Sequence, residues 1–336
     1  GSTFINPWIS LVPRDIPYLI ENTIKAPIVV KQLELSDQDF NNLMSKKGLI
    51  VHLDSPKNTV FPFEQESSSK KSLVIFDFGT VINGMPQLEI KGKEGTKVYI
   101  LAAPFMANDI FTQYVIDSKY QDEIILSGQK DYWQCTYFKP TRFLAVVFDE
   151  NSNAQVDHVG IHNIKYPFKM QGKLETPEAK WMEDLWKASA KTIDVTTTDA
   201  YTDNYRERRQ YAQTGYYAAL GNYYTYADQY LQRRYLLQTA QEQEANGLMP
   251  AYAPLAKDDY MVILDSNCLW IRSLFSYYFY TGDEVTVRQL LPNATQLMEL
   301  LDSFTDASGM INNPPYAYWL DHTLNDRTGV NTNLNG

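Results

Sequence analysis

Apolar residues in this chain follow one period up to about residue 171 and another after it. In the first stretch, short β-branched or aromatic runs recur between turn residues: Ser72–Phe78, Gln87–Lys91, Lys97–Ala102, Glu123–Leu126, Tyr132–Phe138 and Arg142–Phe148. Leu88/Ile90 and Val98/Ile100 alternate with polar neighbours, the two-residue period of a half-buried strand. Gly92-Lys-Glu-Gly95 is the turn between two of these runs. It does not complete a phosphate-binding loop, because the upstream glycine is misplaced and no Ser or Thr follows Lys93. Many short strands with little helix predict an antiparallel β-sandwich over 1–171. Ser36–Lys46 is the one helix expected within it.

Beyond residue 171 the spacing becomes helical. Pro177 suits a helix start, and Trp181, Leu185, Ser189 and Thr192 recur three and four residues apart. Further helices are expected at Gln210–Tyr223, Tyr226–Glu244 (stopped by Asn246-Gly247), Val262–Tyr280 (stopped by Gly282) and Glu284–Phe304, bent at Pro292. Short loops between them make antiparallel neighbours, so 172–336 reads as an α-toroid or bundle. The arginines and glutamates of Tyr226–Glu244 read as a solvated face. No internal repeat or low-complexity segment appears.

Composition narrows the class. The 336 residues suffice for two cores, and no apolar run approaches the ~18 residues of a membrane span. A net charge of -10 offers no basic stripe to displace counterions, which argues against nucleic acid or an anionic membrane as partner. Cys135 and Cys268 lie far apart without metal spacing; they exclude a disulfide framework and leave the compartment open. The four histidines, His52, His158, His162 and His322, are dispersed, and the segment holding His158 and His162 reads as strand. Neither a metal site nor a cofactor is expected. The sequence is rich in aromatics, with 24 Tyr, 15 Phe and 6 Trp. Most belong to cores, but any exposed in a cleft would be flat platforms for sugar rings.

The densest chemistry lies in Asp199–Gly215, where Asp203 and Glu207 sit among Arg206, Arg208 and Arg209 and among Tyr201, Tyr205 and Tyr211. A carboxyl group in a cleft with phenols nearby fits acid catalysis on a sugar, and a salt-bridged helix start fits the same residues. Two further stretches pair acids with aromatics or amides: Asp258 to Asn267, which contains Asp265, and Tyr316-Ala-Tyr-Trp319-Leu-Asp321-His322. Each precedes or opens a helix, so the three are expected at one end of a helical barrel. Asp265 alone would equally be a helix-start acid favoured by the macrodipole.

On these residues the chain resembles the inverting α-L-rhamnosidases of glycoside hydrolase family 78, over nearly its full length. Trp8-Ile-Ser-Leu-Val-Pro-Arg14-Asp-Ile-Pro17 resembles the family's entry into its β-sandwich. Phe76-Asp-Phe-Gly79 through the Gly92–Gly95 turn resembles a strand pair there. Lys173-Leu-Glu-Thr-Pro-Glu to Trp186 resembles the linker and first barrel helix, while Asn246–Pro254 and Tyr280-Thr-Gly-Asp283 resemble later landmarks. The family motif runs Asp-Cys-Pro-x-Arg-Glu and ends Trp-Thr-Gly-Asp. Asp203-Asn-Tyr-Arg206-Glu207 is similar, with one residue fewer between the first acid and the Arg-Glu pair. Tyr211 stands for the tryptophan, and Thr214 or Tyr216 for the closing aspartate.

The resemblance implies a β-sandwich followed by an (α/α)6 barrel, apparently truncated at about half its twelve helices, with the remainder of the polypeptide missing. It also implies a carbohydrate substrate, Glu207 as general acid, and a substrate-binding set of Asp203, Arg206, Tyr211, Asp265, Trp319 and Asp321. The general base is expected beyond Gly336. Arg208 and Arg209 are expected to point away from the Glu207 carboxyl, since a touching cation would lower its pKa. The lost aspartate keeps open a same-fold hydrolase for a uronic acid or another hexose; a third reading is a non-catalytic carbohydrate-binding or scaffold protein whose β-sandwich carries the ligand.

Overall fold

The structure, a computed structural model, describes residues 13–26, 28–58, 61–115, 118–202, 208–255, 261–312, 314–316, 318–319 and 330–331. The chain divides into two compact units. One comprises Leu19–Tyr166 with Asn204–Arg208; the other comprises Gly1–Tyr18, Pro167–Asp203 and Arg209–Gly336.

The first unit is built on a ten-stranded antiparallel sheet. Its strands are β1 (Ile20–Lys25), β2 (Ile28–Leu35), β3 (Lys57–Asn58), β4 (Phe63–Gln65), β5 (Lys71–Gly92), β6 (Lys97–Ala103), β7 (Gln121–Ile125), β8 (Lys130–Gln134), β9 (Lys139–Phe148) and β10 (Ala154–Lys165). The runs 72–78 and 87–91, expected as separate strands, are the two ends of the single strand β5. Its first part lies between β2 and β9, and its second between β10 and β8. The join shows no clean period because Ile82 and Asn83 are buried on successive positions. Opposite Arg142 the register jumps from Ile82 to Asp77, so Phe78–Val81 bulge out of the ladder. Gly79 takes φ 76° there, which a glycine adopts without steric cost. The Asp77 carboxylate holds the bulge, accepting from the Gly79 amide at 2.7 Å and from the Arg142 guanidinium at 3.1 and 3.2 Å.

Both faces of this sheet are covered. Val74, Phe76, Leu88, Ile90, Val98, Ile100, Leu144, Val146, Val159 and Ile161 form one core, which draws on both ends of β5 and so curls the sheet on itself. Leu73, Ile75, Leu101, Ala145 and Val147 form the other, roofed by Leu43 of α1 (Asp37–Leu43). Ser36 caps that helix by accepting from the Asp39 amide.

The second unit is helical: α2 (Lys180–Thr196), α3 (Ala212–Thr225), α4 (Tyr230–Gln241), α5 (Leu264–Thr281) and α6 (Glu284–Asp302). Three boundaries differ from expectation. The first helix begins at Lys180, three residues after Pro177, and Trp181 and Leu185 of its expected stripe are exposed, while Ala190 and Ile193 are buried. The second change is that α3 runs to Thr225 and Ala227 then adopts φ 52°, so α4 opens only at Tyr230. Asn222 secures that corner from both sides of Asp228, donating to its carbonyl and accepting from its amide. The third is that α6, which contains Pro292 as expected, ends at Asp302 rather than Phe304. Trp270, Tyr235, Tyr277, Leu236, Leu290 and Leu297 make the core, and the Trp270 indole N–H donates to the Leu236 carbonyl at 3.3 Å.

Candidate active site

The N-terminal ends of α3 and α5 meet in the helical unit and carry Tyr211 and Asp265, two of the residues that the sequence singled out. Tyr211 precedes α3 and pairs as an isolated β-bridge with Tyr252; their rings cross edge-on at 5.4 Å. The Arg209 guanidinium lies 4.9 Å above the Tyr252 ring and donates to the Tyr211 hydroxyl at 3.2 Å. Asp265 stands in the first turn of α5, where the helix dipole favours a negative charge. Its carboxylate accepts from the Gln213 amide at 2.7 Å, and the same Gln213 accepts from the Ser266 hydroxyl at 3.3 Å. So Gln213 on α3 orients Asp265 on α5.

The loop preceding α5 is fixed by amides rather than charges. Asn267, fully buried, accepts from the Met249 N–H at 2.8 Å and donates to the Met249 carbonyl at 3.0 Å. Gln210 donates to the Ala253 carbonyl at 2.9 Å, and the Ala212 amide donates to Ala251. These bonds hold Tyr252 against Tyr211.

Of the expected site residues, Tyr211 and Asp265 therefore fall in one cluster, on neighbouring helix ends. Asp203, Arg206, Glu207 and Asp321 lie outside the described residues, as do Asp258 and His322. Trp319 is described only as backbone, in a two-residue pairing of Tyr318–Trp319 with Val330–Asn331. Tyr216, one of two positions standing for the family's closing aspartate, is buried with the Arg272 guanidinium 5.4 Å over its ring. Arg208 donates to the Phe138 carbonyl at 3.0 Å and lies over the Tyr137 ring, in the β unit. Sequence reading passed over Gln213 and Tyr252, and named Asn267 only as the end of the Asp258–Asn267 stretch. Each lay inside a stretch already singled out: Gln213 in Asp199–Gly215, Tyr252 in Asn246–Pro254 and Asn267 at the end of Asp258–Asn267.

Among the described residues, no group of three or more His, Cys, Asp or Glu side chains is placed to hold a metal ion. His52 pairs with Asp109 at 3.1 Å and His162 with Glu21 at 3.4 Å. Burial pushes the pKa of His158 down, only partly offset by Glu89. No described helix is long and apolar enough to cross a membrane.

Two family models match this chain. Residues 67–162 match the bacterial α-L-rhamnosidase concanavalin-like domain, and 169–335 match the bacterial α-L-rhamnosidase six-hairpin glycosidase domain. The chain belongs to the bacterial α-L-rhamnosidases of glycoside hydrolase family 78. Solved rhamnosidases share the fold at low identity. The Klebsiella oxytoca enzyme, solved with rhamnose bound, is 17% identical with TM-score 0.69, over 89% of this chain and 60% of its own. A family 78 rhamnosidase from Bacillus sp. GL1 is 19% identical with TM-score 0.70, over 78% and 27%. The Streptomyces avermitilis α-L-rhamnosidase, complexed with L-rhamnose, is 18% identical with TM-score 0.55, over 70% and 23%. This chain thus spans 60% of the Klebsiella rhamnosidase, and less of the other two. No curated protein sequence matches it.

Proposed function

We propose that this chain carries the β domain (1–171) and the first helices (172–336) of an (α/α)6-barrel rhamnosidase that hydrolyses terminal α-L-rhamnosides with inversion. The observation that carries the reading is the carboxylate of Asp265, oriented by Gln213, in a chain whose two halves both match rhamnosidase domains. Glu207 is the general acid, protonated in the resting enzyme and donating to the glycosidic oxygen as the bond breaks. Asp203, Arg206, Asp265 and Asp321 bind ring hydroxyls. Trp319 and Tyr211 offer ring faces to the apolar side of the sugar, which supplies the positioning part of the rate. Inversion needs a second carboxylate activating water from the opposite face, roughly 6.5–9.5 Å from the acid. That base has no residue assigned in this chain.

A second reading, the same chemistry on a uronic acid or another hexose, is favoured by the lost closing aspartate at Thr214 or Tyr216. A panel of aryl glycosides run on the full-length protein, with the product anomer followed by NMR, separates the readings. Release of β-L-rhamnose first from an α-L-rhamnoside supports the proposal. Turnover of another glycoside supports the second reading, and binding without turnover of any glycoside refutes both.

A further inference from the structure

Arg272 of α5 is an exposed cation without a countercharge, on the helix face that carries Asp265. Its guanidinium carbon lies 5.4 Å from the centroid of the Tyr216 ring on α3. That contact uses none of its five N–H donors, and among the described residues no carboxylate or other acceptor takes them. Tyr216 is itself buried, which fixes the ring under the arginine. It stands at one of the two positions for the motif's closing aspartate, and a neutral ring there leaves the positive charge uncompensated.

Helix geometry brings this cation toward the candidate site. The Gln213–Asp265 bond joins the two helices near their N-terminal ends. The Tyr224–Tyr280 hydroxyl contact at 2.7 Å joins them near their C-terminal ends, so α3 and α5 run parallel. From Asp265 to Arg272 is about two turns, so both stand on one face of α5. Tyr216 is about 4.5 Å further along α3 than Gln213, and Arg272 about 10.5 Å further along α5 than Asp265. Contact between the two side chains therefore has the arginine leaning back toward Asp265, the direction in which helical side chains tilt. A planar guanidinium with open donors pairs with a carboxylate through two parallel hydrogen bonds. We propose that Arg272, held on the Tyr216 ring, is a specificity-determining residue that takes the carboxylate of a uronic acid in the glycan substrate. This inference rests on Asp265 lying in the sugar site. The uronic acid is either the sugar beside the cleaved rhamnose or the terminal sugar itself.

The test compares kcat/KM for a free acid with that for its methyl ester, which keeps the sugar and removes the charge, on the full-length protein. One acid–ester pair is an α-L-rhamnosyl uronate disaccharide, and the other is an aryl glycuronide. The wild type is expected to prefer the acid about 10- to 100-fold in one pair, and that pair shows where the carboxylate sits. Arg272→Gln should bring the ratio to about one, whereas damage to the fold would lower acid and ester alike. A wild-type ratio near one in both pairs, or a preference that survives Arg272→Gln, overturns the proposal. Should Arg272→Gln fail to fold, Arg272→Lys decides. Its ammonium keeps the charge and loses the fork, so the preference should fall several-fold, and an unchanged preference overturns the proposal. If neither pair is turned over, calorimetric titration of the same compounds reads the same ratios as Kd, and binding of none of them overturns it as well. Asp265→Asn tests the underlying reading separately. It should raise KM for acid and ester alike, and an unchanged KM refutes Asp265 as a sugar contact whatever the acid-to-ester ratio shows.

Discussion

Asn267 is the position where one substitution should loosen the candidate site without touching a charge. Its amide is fully buried in the first turns of α5 and spans both backbone polar groups of Met249. The amide orientation follows from those partners, since the Met249 N–H requires an acceptor opposite it. The same side chain also reaches the Ile263 carbonyl at 3.3 Å, but that carbonyl keeps a second donor, the Ser266 amide at 3.0 Å. Asn267→Ala therefore strips the Met249 N–H and C=O. Each buried polar group left without a partner costs about 1–3 kcal/mol, and water entering the space left by the amide recovers part of it. A net loss of about 2–4 kcal/mol in local stability is expected. At about 1.4 kcal/mol per tenfold, the Met249 amide should lose roughly 30- to 1,000-fold of its protection against hydrogen exchange. The assay is amide exchange on the full-length protein, wild type against Asn267→Ala. Because the same loop sets Tyr252 against Tyr211, rhamnoside KM should rise in parallel. Protection at Met249 within threefold of wild type would refute the claim that this side chain anchors the loop.

Three other outcomes follow from the geometry. Gln213→Leu removes the donor that orients Asp265, and hydrogen bonds to charged groups contribute about 1.5–3 kcal/mol, so KM for a rhamnoside should rise at least tenfold with kcat little changed. Asp283 caps α6; burial pushes its pKa up, but bonds from Thr286 and Tyr277 and the charge of Arg233 outweigh that and hold it below the ordinary aspartate range. With a depressed folded pKa, its contribution is full above the unfolded value of about 3.9 and is lost as pH falls through the folded one. The stability gap between wild type and Asp283→Asn in urea titrations should accordingly be widest near neutrality and shrink below about pH 3.9. Gly172→Ala should be strongly destabilising, by at least the ~1–3 kcal/mol of ordinary overpacking, because the added Cβ would sit 1.9 Å from the Tyr224 carbonyl oxygen; a melting temperature within a degree of wild type would contradict this.

The two periods along the chain announced a β part and a helical part because alternation and three-to-four spacing each report a face turned inward. The reading weakened wherever burial was two-sided or absent. β5 looked like two strands because its middle is buried on consecutive positions and then bulges at Phe78–Val81. β1 left no pattern to read, since most of its residues are exposed. The break before α4 depends on Ala227 at φ 52°, which nothing in a Tyr-Ala-Asp sequence signals. At the site, acids and aromatics stood out by type, and Asp265 and Tyr211 lie at the N-terminal ends of two helices bridged by the Gln213–Asp265 hydrogen bond. Gln213 and Asn267, which orient and anchor them, are neutral amides whose role depends on partners about 50 and 18 residues away, a distance no local pattern encodes. Arg208 and Arg209 were expected to point away from the Glu207 carboxyl, which lies outside the described residues. The partners described for them are ring faces, the Phe138 carbonyl and the Tyr211 hydroxyl.

The most direct test of the account is Glu207→Gln in the full-length protein, assayed on two α-L-rhamnosides that differ only in leaving group. An activated nitrophenolate needs little protonation as it departs, whereas an alkyl alcohol needs a proton donor. The account predicts that the alkyl rhamnoside loses about 10²–10⁴ in kcat while the activated one keeps most of its rate. Alkyl rhamnoside turnover close to wild type would contradict it.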